Sequence, residues 1–85
     1  MSKWIVVLTE NGVLKRIVFD GVNPLVSAMK PVVDAAQLWD FKRFCQWARN
    51  AKEGQWMEMR DETNCIRALV VKSSDPKTWQ VNNNA

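Results

Sequence analysis

The chain has 85 residues, of which 47% are hydrophobic and 25% are charged, and its net charge is +3. This composition is typical of a globular domain with a single modest core and argues against intrinsic disorder. The 12 basic and 9 acidic residues are mixed, without the basic stripe of dedicated nucleic-acid binders, and no apolar run approaches the roughly 20 residues of a membrane span.

The N-terminal residues also argue against export from the cell. Their short apolar stretch is interrupted by Glu10 and the Asn11-Gly12 pair before a signal-peptide core could form. The two cysteines, Cys45 and Cys65, suit buried reduced thiols. We therefore expect a cytoplasmic protein.

Two β-rich runs, residues 3–9 and 13–20, flank Asn11-Gly12 and predict a hairpin. Asn-Gly favours a type I′ turn, because both central positions of that turn need a positive φ. With the turn closed by Glu10 and Val13, one side of the ribbon carries Trp4, Val6, Ile17 and Phe19, and the other carries Ile5, Val7, Leu14 and Val18. The first side is the better core face. The second is too apolar for a face left in water, so something should cover part of it.

A short helical turn over residues 25–30, ended by Pro31, precedes the one long helix of the chain, which we predict over residues 34–54. Asp34 and Gln37 form a capping-box pattern at its start. Its predicted core face consists of Leu38, Phe41, Phe44, Cys45, Ala48 and Ala51.

The opposite side of this helix carries the first group of candidate partner-binding residues, which are Trp39, Lys42, Arg43, Gln46 and Arg49. Tryptophan and arginine are enriched at binding hot spots, so this group could form a contact surface. Alternatively, Trp39 lies flat on a hairpin or under the C-terminal tail and is an ordinary packed side chain.

A second hairpin is predicted over residues 55–60 and 65–72, with a polar loop at 61–64. Its core side consists of Met57, Met59, Ile66, Ala68 and Val70. Its other side carries the second group of candidate partner-binding residues, Trp56, Arg60 and Arg67, together with Glu58. With Arg60 opposite Cys65, we expect a cross-strand ion pair between Glu58 and Arg67.

The resulting order is ββαββ, in one α+β domain over residues 1–81. The two hairpins form a four-stranded sheet with the main helix on one face. The sheet is either antiparallel or β-grasp-like, with the first and last strands parallel. We expect residues 82–85 to fray as a polar tail, and Trp79 to pin the preceding segment onto the body.

The chain lacks the usual equipment for catalysis. It has no histidine, which removes the commonest general base and metal ligand, and its 3 glycines form no phosphate-binding motif. Two cysteines without histidine do not make a usual zinc site. Asp61 and Glu62 fit a solvated turn better than a catalytic pair. We therefore expect no enzymatic activity, no cofactor and no metal.

Binding is the function that remains, and its main signal is 5 tryptophans in 85 residues. Two surfaces that combine Trp and Arg predict docking onto another protein, as an inhibitor or adaptor, or a homodimer formed through the open sheet face. The alternative is single-stranded nucleic acid, bound on a sheet that bears Trp56, Arg60, Arg67 and Arg16. Glu58 within that patch and the low net charge weigh against it.

Overall fold

The structure, a computed structural model, describes residues 2–35 and 40–80. It contains two β-hairpins separated by two helices. The elements are β1 (Lys3–Glu10), β2 (Val13–Phe19), α1 (Val22–Ala35), α2 (Phe41–Asn50), β3 (Trp56–Asp61) and β4 (Ile66–Ser73). The strands form one sheet in the order β2-β1-β4-β3, and all three strand pairings are antiparallel. The prediction of an α+β fold with a four-stranded sheet is confirmed, whereas the predicted order ββαββ is wrong: the order is ββααββ, because residues 22–35 form a full helix instead of a short turn.

The pairing at the centre of the sheet decides between the two predicted arrangements. β1 and β4 are antiparallel, with Val6 opposite Val70. The β-grasp-like alternative, in which these two strands would run parallel, is therefore wrong.

The first hairpin has the predicted turn and register. Asn11 and Gly12 both have positive φ, at 50° and 82°, as a type I′ turn requires. The ladder runs without interruption from the pair Glu10–Val13 to the pair Trp4–Phe19. The two-residue turn thus determines which side chains share each face.

The second hairpin pairs in a different register from the predicted one. Arg60 lies opposite Arg67 instead of Cys65, because the loop begins one residue later, after Asp61. The Asp61 carboxylate accepts the backbone N–H groups of Thr63 at 3.1 Å and Asn64 at 3.3 Å, and this Asx-type turn sets the loop. Each side chain nevertheless stays on its predicted face, since the pairing shifts by two residues.

The first helix is longer than the predicted short turn, and Pro31 lies inside it instead of ending it. Proline costs a helix interior about 3 kcal/mol. The buried stripe of α1, formed by Leu25, Met29 and Val33, runs past the proline, and burying each such side chain contributes about 1.5–3 kcal/mol. Pro31 itself is exposed, so water can solvate the carbonyl that its missing N–H leaves unpaired.

The second helix begins later than predicted, and the single helix over residues 34–54 is wrong. Asp40 is its N-cap, and the Asp40 carboxylate accepts the backbone N–H of Arg43 at 2.8 Å. Asp34 instead lies in the last turn of α1 and pairs with Lys30 at 3.2 Å. The predicted capping-box partner Gln37 and the predicted core residue Leu38 lie outside the described residues.

The helices cover one face of the sheet and enclose the main core. From the sheet this core receives Trp4, Val6, Leu8, Met57, Met59, Ala68 and Val70, and from the helices and the segment after α2 it receives Leu25, Met29, Val33, Phe44, Ala48 and Ala51. Trp4 packs edge-on against Trp47, with ring centroids 5.6 Å apart, so the expectation that Trp4 is a core residue is confirmed. Among the described residues, neither helix has the length and hydropathy needed to cross a membrane.

Candidate functional site

The sheet face that points away from the helices, called the open face here, has four rows of side chains across the strands. One of its two inner rows consists of Val18, Ile5, Val71 and Trp56, in the order β2-β1-β4-β3. Ile5 is 1% exposed and Val71 is 5% exposed, although neither belongs to the main core. Something therefore covers the middle of the open face.

The cover is the C-terminal segment, residues 74–80. The Arg16 guanidinium on β2 donates to the backbone carbonyls of Pro76 at 2.5 Å and Thr78 at 3.0 Å. Trp79 stacks edge-on against Trp56 of β3, with ring centroids 6.3 Å apart. The segment thus contacts both edge strands, and the prediction that Trp79 pins it to the body is confirmed.

Glu53 holds the beginning of this segment. Its carboxylate accepts the backbone N–H of Ser74 at 2.7 Å and also the hydroxyl of Ser2. The hydrogen bond from the Ser2 hydroxyl and that from the Ser74 N–H lower the pKa of Glu53, with a smaller contribution from the charge of Lys72. The ionised carboxylate is therefore the form that fastens the segment.

The second group of candidate residues forms one cluster on the open face. Arg67 donates to Glu58 at 2.7 Å, so the predicted ion pair is confirmed, although the two residues are diagonal neighbours and not opposite each other. Arg60 lies 3.6 Å from both Glu58 and Glu62. Beside this cluster, a cavity of about 620 Å³ has Trp56 and Trp79 among its walls. Two arginines are thus matched by two glutamates.

Four of the five members of the first group can be placed. Lys42, Arg43, Gln46 and Arg49 are exposed on α2, and this set is called the cationic face of α2. Trp39 lies outside the described residues. α2 packs on the sheet face opposite to Trp56, so the two groups lie on opposite sides of the molecule and do not form one continuous surface.

The sheet has an exposed apolar edge, which the sequence indicated only in part. Five large hydrophobic side chains in the described part of the chain are at least 36% exposed, and four of them, Val13, Leu14, Ile17 and Val18, lie on β2; these four form the apolar edge. Leu14 and Val18 lie on the face of the first hairpin that is too apolar to be left in water. Ile17 was expected in the core, yet it is 36% exposed because β2 is the outermost strand.

The two cysteines and Asp61 lie in different environments. Cys65 is exposed in a loop with a φ of 54°, so the expectation of a buried strand residue is wrong, while Cys45 is half-buried in α2. Asp61 is buried and accepts hydrogen bonds within its own turn. Within residues 2–35 and 40–80, no three His, Cys, Asp or Glu side chains are grouped as metal ligands.

Comparison with known protein families, with curated proteins and with solved structures gives no match to this chain.

Proposed function

We propose that the chain is a small non-enzymatic binding module that docks onto another protein and modulates it, as an inhibitor or an adaptor. The observation that carries this proposal is the apolar edge of β2, where Val13, Leu14, Ile17 and Val18 are each at least 36% exposed. Fully burying one such side chain contributes about 1.5–3 kcal/mol. A partner that covers the edge therefore gains several favourable contacts at one place.

Exposed apolar side chains that are gathered on one element of a small domain are typical of interaction sites, whereas scattered ones need no explanation. The four side chains belong to one seven-residue strand and project to both faces of the sheet. The rest of the open face differs, because the C-terminal segment already covers Ile5 and Val71. The apolar edge is therefore the place where a protein partner has most to bury.

Single-stranded nucleic acid is the alternative ligand, and the charges on the open face give it less support. Arg60 and Arg67 are matched by Glu58 and Glu62, and Arg16 is engaged with carbonyl groups of the C-terminal segment. Phosphate binding depends on cations that can release counterions. The cationic face of α2 is the surface on which nucleic acid would more readily bind.

Affinity capture with matched variants tests the proposal. The immobilised protein is incubated with lysate of its source organism at low and high salt, with and without nuclease. The double variant Leu14→Thr/Val18→Thr makes the edge polar but keeps side chains that are compatible with a strand, and Lys42→Glu serves as the charge control on α2.

The proposal predicts that the wild type captures one protein, which stays bound at high salt and after nuclease treatment. The edge variant should no longer capture this protein, whereas Lys42→Glu should still capture it. Loss of all bound material with nuclease or salt, together with sensitivity to Lys42→Glu, would favour the nucleic-acid alternative. Recovery of the bait alone would overturn the proposal of a protein partner.

A further inference from the structure

The outer edge of β2 offers a row of backbone groups to a further strand. In a two-residue hairpin the pair beside the turn, here Glu10 and Val13, exchanges both hydrogen bonds, and bonded and non-bonded pairs then alternate. Leu14, Arg16 and Val18 therefore direct their N–H and C=O groups away from β1. Among the described residues, no strand pairs with this edge.

From this arrangement, and resting on the proposed function, we infer that β2 binds its partner by strand addition, and that the partner segment is extended and carries carboxylates between apolar residues. Strand addition combines main-chain hydrogen bonds with contacts made by alternate side chains. The apolar edge provides both, because Leu14 and Val18 lie on one face of the sheet and Val13 and Ile17 on the other.

The two edges of the sheet differ in how they are protected. Natural edge strands are usually shielded by charged side chains, especially lysine, by proline, by bulges or by a covering segment, and of these devices β2 has a lysine, Lys15. β2 contains no proline, and its register with β1 is unbroken over seven pairs. On the opposite edge, β3 has buried Met57 and Met59, and its outward charges are joined in ion pairs. A partner strand is therefore expected to add to β2 and not to β3.

The charges of β2 determine the chemistry of the occupant. Between Val13 and Phe19 the strand carries Lys15 and Arg16 and no carboxylate. The hydrogen-bond partners of Arg16 are neutral carbonyls, and Asp20, just beyond the strand, already pairs with Lys3 at 3.0 Å. Opposite charges across a strand pair are favourable, so an acidic residue in the partner fits Lys15, while Arg16 stays engaged with the C-terminal segment.

The same charges argue against a second copy of the chain as the occupant. An antiparallel two-fold pairing with full overlap of the strands would place Arg16 of one copy opposite Arg16 of the other. Like charges directly opposite each other are destabilising. The overall charge of +3 adds to this repulsion.

Peptide selection followed by amide exchange tests the inference and does not require the partner itself. Random peptides about nine residues long, enough to span a strand, are selected on the immobilised wild-type protein. The best synthetic peptide is then added to the protein, and amide exchange is followed by NMR. We expect carboxylates alternating with apolar residues in the selected peptides, and peptide-dependent slowing of exchange at Leu14, Arg16 and Val18. Lys15 and Ile17 should be protected already.

Two variants at one position separate backbone pairing from side-chain contact. Val18→Pro removes an outward N–H without removing a hydrogen bond to β1, and it should weaken peptide binding by about tenfold or more. Val18→Thr keeps that N–H and should weaken binding less. Lys15→Glu should weaken the binding of acidic peptides, whereas Lys42→Glu on α2 should not.

Several results would overturn the inference. These are selected peptides without carboxylates, failure to select any peptide, unchanged exchange at the three outward amides, and protection that rises with protein concentration alone, which would indicate self-pairing. If a protein partner is still captured through Leu14 and Val18 in any of these cases, the proposed function stands and only the strand-addition mode fails.

Discussion

The Arg16 guanidinium donates to the carbonyl of Thr78, 62 residues away in the chain, through Nη2 at 3.0 Å and Nε at 3.3 Å. This contact joins the outermost strand of the sheet to the C-terminal segment. Because the segment lies over the row of the open face that contains Ile5 and Val71, these two side chains are buried without help from either helix. An 85-residue chain thereby covers part of its second sheet face.

Replacing Arg16 with alanine should loosen this segment. Hydrogen bonds to a charged donor contribute about 1.5–3 kcal/mol, so Arg16→Ala should lower the free energy of unfolding by about 1–3 kcal/mol. Urea denaturation measures the loss, and amide exchange should become faster at Thr78. The matched control, Lys15→Ala, alters an exposed neighbour and should change stability by less than about 0.5 kcal/mol. Equal stability of the two variants would mean that the segment is held by other contacts.

The ionisation of Glu53 should make the stability of the protein depend on pH, because Glu53 holds the same segment. Hydrogen bonds from Ser2 and Ser74 lower the pKa of Glu53 in the folded state, so its contribution to stability is complete above its ordinary pKa of 4.5. That contribution is lost as the pH falls through the lowered folded-state pKa. Unfolding free energies measured on acidification should therefore fall less steeply for Glu53→Gln than for the wild type. Parallel pH profiles would contradict this role.

Two tryptophans with opposite environments should respond differently to truncation. Trp4 is 4% exposed and packs in the core, so Trp4→Ala should cost about 3–5 kcal/mol. Trp56 is 59% exposed, and its ring contacts that of Trp79, an interaction worth about 0.5–1.5 kcal/mol. Trp56→Ala should therefore keep the fold while weakening any partner contact at that residue. Thermal unfolding compares the two variants, and equal losses would place Trp56 in the core.

The position of the second helix can be tested through its cap. Asp40→Ala removes the acceptor for the Arg43 N–H and should cost about 1 kcal/mol. Asp34→Ala removes an exposed i,i+4 pair with Lys30 and should cost about 0.5 kcal/mol or less. Denaturant titration of both variants shows which of them loses more free energy of unfolding. A larger loss for Asp34→Ala would instead support a helix that begins at residue 34.

Local chemistry predicted the strands better than it predicted the helices. Asn11-Gly12 permits essentially one tight turn, and a two-residue turn fixes the register of both strands. In the helical region, two aspartates compete as N-caps. Asp34 has the capping-box partner Gln37, while Asp40 has Arg43 at the equivalent position, so the sequence favoured the wrong one. Whether Pro31 ends a helix depended on the burial of Met29 and Val33, which is a tertiary effect.

The sequence predicted which residue types form the candidate site better than it predicted where those residues lie in the fold. The excess of apolar residues on the second face of the first hairpin indicated that Leu14 and Val18 need a cover. The sequence did not reveal that the cover buries Ile5 and Val71 on the central strands but leaves Leu14 and Val18 on β2 exposed, because this depends on where residues 74–80 lie. The exposure of Ile17 follows from the strand order, which places β2 at the edge. Strand order is set by long-range pairing that local patterns do not encode.

Site-specific photo-cross-linking is the most direct test of docking through the apolar edge. A photoreactive phenylalanine analogue is placed at Val18 in one protein and at Lys42 in another, and both are irradiated in lysate of the source organism. The account predicts a protein adduct of one defined mass from position 18 and none of that mass from position 42. An adduct confined to position 42, or adducts to nucleic acid alone, would contradict docking through β2.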